Sequence, residues 1–185
     1  YAASRLLPPG FRLPTMTATP RPQIRPYAAA DRAACLAIFR SNLPRYFDPS
    51  ELPEFEDFLE RPSGDYVVVE QDGLVVACGG CYLREGVGRL SWGMVSQQHH
   101  RASLGTALLV WRINHLFQHT ETPEITIDTS QHTAGFFARH GFRTTLQVAD
   151  GFGPGIDRVA MSLRREDWLA RAQPSPRGAT ASPGA

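Results

Sequence analysis

The sequence of 185 residues contains no lysine; all 19 of its basic residues are arginine. That absence removes Schiff-base and pyridoxal-phosphate chemistry, which need an ε-amine, and with them the phosphate-gripping lysine of a P-loop. An excess of one charge sign is also missing. The arginines face 18 acids for a net charge of +1, so nothing pulls the chain toward nucleic acid or an anionic membrane. No apolar run approaches the ~20 residues of a membrane span. The opening YAASRLLPPGFRLPT has neither the apolar stretch nor the small-residue cleavage site of a secretory leader. It has no initiating Met either, so Met16 is the expected start, with residues 1–15 outside the folded domain and disordered.

Cysteine is scarce. Cys35, Cys78 and Cys81, an odd number without a secretory signal, suggest reduced thiols and a cytoplasmic protein. The CGGC at 78–81 invites a redox or zinc reading. The first needs a helix N-terminus to acidify a thiol, and the second needs two further ligands. Here the motif lies in LVVACGGCYL, which has the composition of a strand, and an offset of three in a strand puts the two thiols on opposite faces. Two small strand residues are the plainer reading.

What is present suits a packed domain, with 42% hydrophobic and 20% charged residues. Residues 16–171 form the expected domain. The tail 172–185, rich in Pro, Ala, Gly and Ser, is expected to be disordered. Within the domain, 22–27 is a short first strand. Residues 28–42 bring Cys35, Ile38 and Phe39 to helical spacing, with Asp31 as a cap. In 51–61, Leu52, Phe55, Phe58 and Leu59 share one helix face and acids the other. DYVVVEQ and LVVACGGCYLRE are strands joined at Asp72-Gly73, a strong hairpin signal, and 85–95 is a third. From 101 the period becomes helical and broadly apolar. EITIDTS is a strand, HTAGFFARH a helix stopped by Gly141, and FRTTLQVA and GIDRVAMSLR two final strands. The order β-α-α-β-β-β-α-β-α-β-β implies an α/β (α+β) single domain. Its seven-stranded mixed sheet is mostly antiparallel, with one parallel pair around the long helix and helices on both faces.

The join WGMVSQQHHRASLGTALLVW, residues 92–111, runs from strand to buried helix. The free N–H groups of such a helix start, with its dipole, form an anion site, and Gly105 admits a ligand closely. Neither the P-loop nor the dinucleotide spacing is present. A phosphate cradle and a plain glycine-bearing turn both remain open from these residues alone.

The segment resembles the acyl-coenzyme A signature Q/R-x-x-G-x-G/A of the GCN5-related N-acetyltransferase (GNAT) superfamily. His100 stands at Q/R, Ser103 at the first glycine and Gly105 at the second. TSQHTAGFFARHGF (129–142) is similar to the family's later motif, and together the likeness spans residues 22–164. The resemblance implies acetyl-CoA as co-substrate and no metal. It implies cofactor contacts from Met94, Val95, His100, Arg101, Ala102, Ser103, Leu104, Gly105, Thr106, Ala107, Ser130 and Phe137, and a splayed central strand pair, with a fourth-strand N–H at Met94 or Val95 polarising the thioester.

Departures are informative. Ser103 replaces a glycine, at little cost if its φ is negative, and its hydroxyl can donate to a phosphate. Arg101 can meet a pyrophosphate bidentately. Ser130 replaces an Asn. Phe137 replaces the Tyr that many members use to protonate the departing thiolate. A thiolate of ordinary pKa, about 8.5, leaves without full protonation, so this slows acyl transfer without forbidding it. The expected catalytic residues are Asp128, as base on the strand EITID, and Ser130, as a substitute donor. The plainer reading of Asp128 is a solvated or hydrogen-bonded strand-end acid. His99 and His100 are further candidates, His115 reads as a core histidine, and His132 and His140 have no ligand partners that would suggest a metal.

The acids Glu51, Glu54, Glu56, Asp57 and Glu60 either attract a cationic amine or form the wet face of a helix. Tyr46 and Phe47 either line the acceptor pocket or anchor their loop. The expected function is acetyl transfer to a primary amine of a small molecule by direct attack. A non-catalytic acyl-CoA sensor and a protein N-acetyltransferase are the alternatives. No nucleic-acid or membrane partner is expected, and monomer and homodimer are both open.

Overall fold

The computed structural model describes residues 21–100 and 103–172. Seven strands form one sheet: β1 (Gln23–Pro26), β2 (Asp65–Gln71), β3 (Leu74–Arg84), β4 (Val87–Val95), β5 (Glu124–Ser130), β6 (Arg143–Gly153) and β7 (Ile156–Arg164). Their order is β1-β2-β3-β4-β5-β7-β6, antiparallel throughout except for β4 with β5. The helices are α1 (Arg32–Ser41), α2 (Leu52–Glu60), α3 (Leu104–His119), α4 (Gln131–Arg139) and α5 (Arg165–Ala172). The expected order is present, with α5 added. Its eight residues, REDWLARA, carry little apolar periodicity. A tertiary contact holds it instead, the Trp168 indole N–H donating to the Asn114 amide oxygen of α3 at 3.0 Å. Ala172 therefore ends a helix, and of the expected tail only 173–185 lies outside the described residues, as do residues 1–20.

The β2–β3 hairpin turns at Asp72 (φ 53°) and Gly73 (φ 77°), two successive left-handed residues that match the strand twist. Beside this hairpin, the edge strand β1 is clasped to the start of α1. Arg25 gives Nη1 and Nη2 to the two oxygens of Asp31 at 2.7 and 2.9 Å and Nε to Glu70 at 2.9 Å. Asp31 also accepts the Ala28 N–H at 2.9 Å, so it ties down the turn ahead of α1 and does not cap α1 itself.

Helices cover both faces. On one, α1 and α2 bury Cys35, Phe39, Phe55 and Leu59 against Tyr66, Val68, Cys78 and Met94. On the other, α3 buries Leu109, Ile113 and Leu116 with Ile125, Ile127, Phe137 and Met161. Cys78 joins the first cluster and Cys81 the second, as the offset of three requires.

Two features place the site. First, β4 and β5 pair only at Gly88↔Ile125 and Arg89↔Thr126 and then diverge. Second, β4 is bulged. Gly80 faces Ser91 and Cys78 faces Met94, so Trp92 and Gly93 together oppose the single residue Gly79. Trp92 holds φ 42°, a left-handed conformation that costs free energy for a bulky residue and is held by its packing among Phe39, Phe47, Phe55 and Phe58.

Candidate active site

A cleft of about 940 Å³ opens between the diverging ends of β4 and β5. One end is the start of α3. The first helical bond runs from the Ala107 N–H to the Ser103 carbonyl at 3.0 Å, which leaves the N–H groups of Leu104, Gly105 and Thr106 without intrahelical acceptors. A Cβ at Gly105 would stand 3.7 Å from Phe136 and Val95, an ordinary contact. The protein's own packing therefore does not require a glycine there, and its lack of a side chain leaves room for close approach of a ligand. Ser103 holds φ 59°, so the condition of a negative φ is not met. The signature's glycine suits this left-handed position, and serine occupies it under strain.

Of the residues expected to hold the cofactor, Met94, Val95, His100, Ser103, Gly105, Thr106, Ser130 and Phe137 line the cleft. Leu104 turns its side chain into the core beside Leu108, so only its backbone faces a ligand. Ala107 is exposed on the far side of the helix and does not line the cleft. Arg101 and Ala102 lie outside the described residues.

The open edge of β4 can be read from its ladder. The Ser96 N–H donates to the Val76 carbonyl at 2.8 Å, and Val95 stands opposite Ala77. Antiparallel alternation then commits the Met94 N–H to β3 and turns the Val95 N–H and carbonyl toward the cleft. The Val95 carbonyl is already engaged, accepting from Asn42 Nδ2 at 2.9 Å and bonding His100 Nε2 at 3.1 Å. His100, expected at the cofactor, is thereby turned to the backbone. Among the described residues the Val95 N–H on the open edge has no acceptor, whereas the Met94 N–H is committed to β3.

The other end of the cleft is acidic. Ile125 and Ile127 point to α3, so alternation puts Asp128 on the opposite face, toward α1 and α2. Asp128 is exposed in the cleft wall and makes no hydrogen bond or ion pair among the described residues. Glu51 and Glu54 complete the wall, while Glu56 and Glu60 reach Arg40 and Arg32 on α1 at 3.7 and 3.0 Å. The acidic helix thus divides between a cleft wall and a solvated face. Burial pushes the Glu51 carboxyl above its ordinary value, although it accepts the Asp48 N–H at 2.9 Å. Tyr46 and Phe47 from the α1–α2 connection and Gly151 and Phe152 from the β6–β7 hairpin bound the same space.

Ser130, buried at the end of β5, bonds Thr133 Oγ1 at 3.3 Å. Phe137 is buried against Phe142 and brings no proton to the cleft it lines. His115 is not a core residue: its Nε2 bonds Asp65 at 2.8 Å and its ring stacks on Trp111. Sequence reading missed Asn42, whose only signal was its place at the end of α1. It also missed Arg112, a lone charge within an apolar helix pattern. Arg112 lies in the cleft floor, 3% exposed, and burial lowers its pKa to about 10.

The fold is shared with solved structures. The ribosomal-protein-S18-alanine N-acetyltransferase of Escherichia coli matches with a TM-score of 0.66 at 17% identity, over 78% of this chain and 94% of that one. The yncA protein of Salmonella typhimurium, solved with its cofactor acetyl-CoA, matches with a TM-score of 0.60 at 20% identity, over 78% and 94%. A spermidine N-acetyltransferase chimera of Vibrio cholerae SpeG and hSSAT gives 0.66 at 12% identity, over 80% and 98%. No curated protein matches the sequence. The family model for the acetyltransferase (GNAT) family matches residues 32–142, which take in the bulged strand, the α3 N-terminus and α4. The chain belongs to the acetyltransferase (GNAT) family.

Proposed function

We propose that the protein transfers an acetyl group from acetyl-CoA to a primary amine of a small cationic molecule, by direct attack. One observation carries this: a single cleft joins the free N–H groups of α3, suited to a pyrophosphate, to a wall of Glu51, Glu54 and Asp128, suited to an ammonium group. Relatives in fold include enzymes named for a ribosomal protein and for spermidine, so fold does not choose the acceptor. The flanking Tyr46, Phe47 and Phe152 bound the cleft on its acceptor side, which suits a small amine better than a protein terminus.

In this reading the α3 N-terminus binds and orients the donor, which supplies the activated acetyl group. The Val95 N–H polarises the thioester oxygen. Asp128 takes the proton of the attacking amine. Glu51 is the competing base, favoured by its raised pKa on the same wall. The test is release of free CoA across a panel of amines, beside thermal shift with acetyl-CoA. Turnover on small polyamines or diamines is expected. Phe137 motivates the second reading, an acyl-CoA sensor, which binding without turnover on any amine would favour. Turnover on peptide N-termini alone would make the protein a protein acetyltransferase.

A further inference from the structure

Arg112 is, among the described residues, a buried cation without an anion. Among the described residues its one hydrogen bond runs from Nε to the Leu108 carbonyl of its own helix at 3.4 Å, and Nη1 is buried with no partner. No carboxylate among the described residues pairs with it. The titratable groups that bear on it are Cys81, Tyr66 and Cys78, two thiols and a phenol. An unpaired buried charge is strongly destabilising, and an apolar side chain of similar volume would remove the penalty.

Room is nevertheless made for it. A Cβ at Gly93 would stand 2.5 Å from Nη1 and 2.7 Å from Nη2, and one at Gly79 would stand 3.0 Å from Nη1. Two glycines, one on each side of the β4 bulge, thus house the guanidinium under the point where the bulge meets the cleft. Gly93 is exposed to that cleft, and Arg112 is in its floor. Arg112 lies on the α3 side of the sheet, the side away from Asp128, α1 and α2. Leu109 and Ile113, its neighbours on α3, share a cluster with Phe137, which itself brings no proton to the cleft.

We propose that Arg112 is a fixed cation in the cleft floor that stabilises, through the field beneath Gly93, the negative charge passing to the thioester as the amine attacks. This rests on the acetyl-transfer reading above. The amine nitrogen bonds to the carbonyl carbon, and the C=O π pair moves onto oxygen. That pair then re-forms the carbonyl as the C–S bond breaks, and the sulfur leaves with its bonding pair as a thiolate. The amine proton goes to a carboxylate or water. A permanent charge beside oxygen and sulfur does electrostatically what a phenol would do by proton transfer, and it needs no reorganisation in a dry site.

Arg112→Met and Arg112→Lys test it, with CoA release, KM and thermal midpoint measured together. Arg112→Met should lower kcat about 10² to 10³-fold, leave KM for acetyl-CoA within about threefold, and hold or raise the midpoint. Arg112→Lys should recover about tenfold of that loss. A second readout needs no turnover: S-carboxymethyl-CoA, an uncleavable thioether bearing a carboxylate, against S-ethyl-CoA. Wild type should prefer the anion by about tenfold or more, and Arg112→Met should lose the preference. A near-normal kcat in Arg112→Met overturns the proposal. So does a loss of kcat accompanied by a lower midpoint and lost CoA binding, which marks a structural role. A loss confined to succinyl-CoA also overturns it, since it marks a pocket for an acyl carboxylate. If wild type acetylates no amine, the acetyl-transfer reading falls and the thioether pair alone decides: a preference lost in Arg112→Met supports the cation, and no preference overturns it.

Discussion

Single residues set both the strain and the chemistry of the cleft. Ser103 sits at φ 59°, where a β-carbon is penalised, so Ser103→Gly should stabilise the fold by about 1 kcal/mol without weakening acetyl-CoA binding. Urea unfolding and calorimetric titration measure the two. Gly93 is bound by a different constraint, the guanidinium under it. Gly93→Ala should cost about 1–3 kcal/mol in wild type and markedly less in an Arg112→Met background, a coupling that a double-mutant cycle of unfolding free energies reports. The base assignment is likewise a residue-scale question. Asp128→Asn should lower kcat by about 10² to 10⁴, whereas Glu51→Gln should change KM for the amine more than kcat. The reverse pattern would transfer the role of base to Glu51.

At the scale of elements, what the sequence made legible was periodicity. EITIDTS and the Asp72-Gly73 hairpin fell where the alternation and turn chemistry placed them, and α3 followed its apolar stripes. Contacts distant in sequence were not legible. The helix α5 has little amphipathic signal and is held by Trp168 on Asn114, 54 residues away. Asp31 looked like a helix cap, yet its carboxylate is claimed by Arg25 from β1. That clasp has a pH signature. The Arg25 guanidinium is the largest cause holding the Asp31 carboxyl below its ordinary value of 3.8, with the Ala28 N–H adding to it against desolvation. A depressed folded-state pKa contributes stability that is complete above the unfolded value and lost as pH falls through the folded one. Wild-type stability should therefore fall more steeply than that of Asp31→Asn below about pH 4, as acid unfolding followed by circular dichroism would show.

For the whole molecule, ligand binding and stability are linked. Any ligand that binds only the folded state stabilises it by RT ln(1 + [L]/Kd), about 2.7 kcal/mol at a hundredfold excess over Kd. Acetyl-CoA should raise the thermal midpoint with this concentration dependence, and desulfo-CoA should do so nearly as well if, as proposed, the α3 N-terminus seats the pyrophosphate both share. A ligand-independent midpoint would remove acetyl-CoA from the cleft.

The amino-acid order by itself determined the succession of elements, the opposite-facing cysteines and the strand-to-helix join that suits a phosphate, because each follows from periods of 2 and 3.6 residues and from local turn chemistry. Only the tertiary structure decided which N–H of β4 faces the cleft, that His100 bonds the Val95 carbonyl, and that Gly79 and Gly93 leave the room Arg112 occupies. These depend on sheet register and on which faces meet across α3, relations between residues far apart in the chain that no local period encodes.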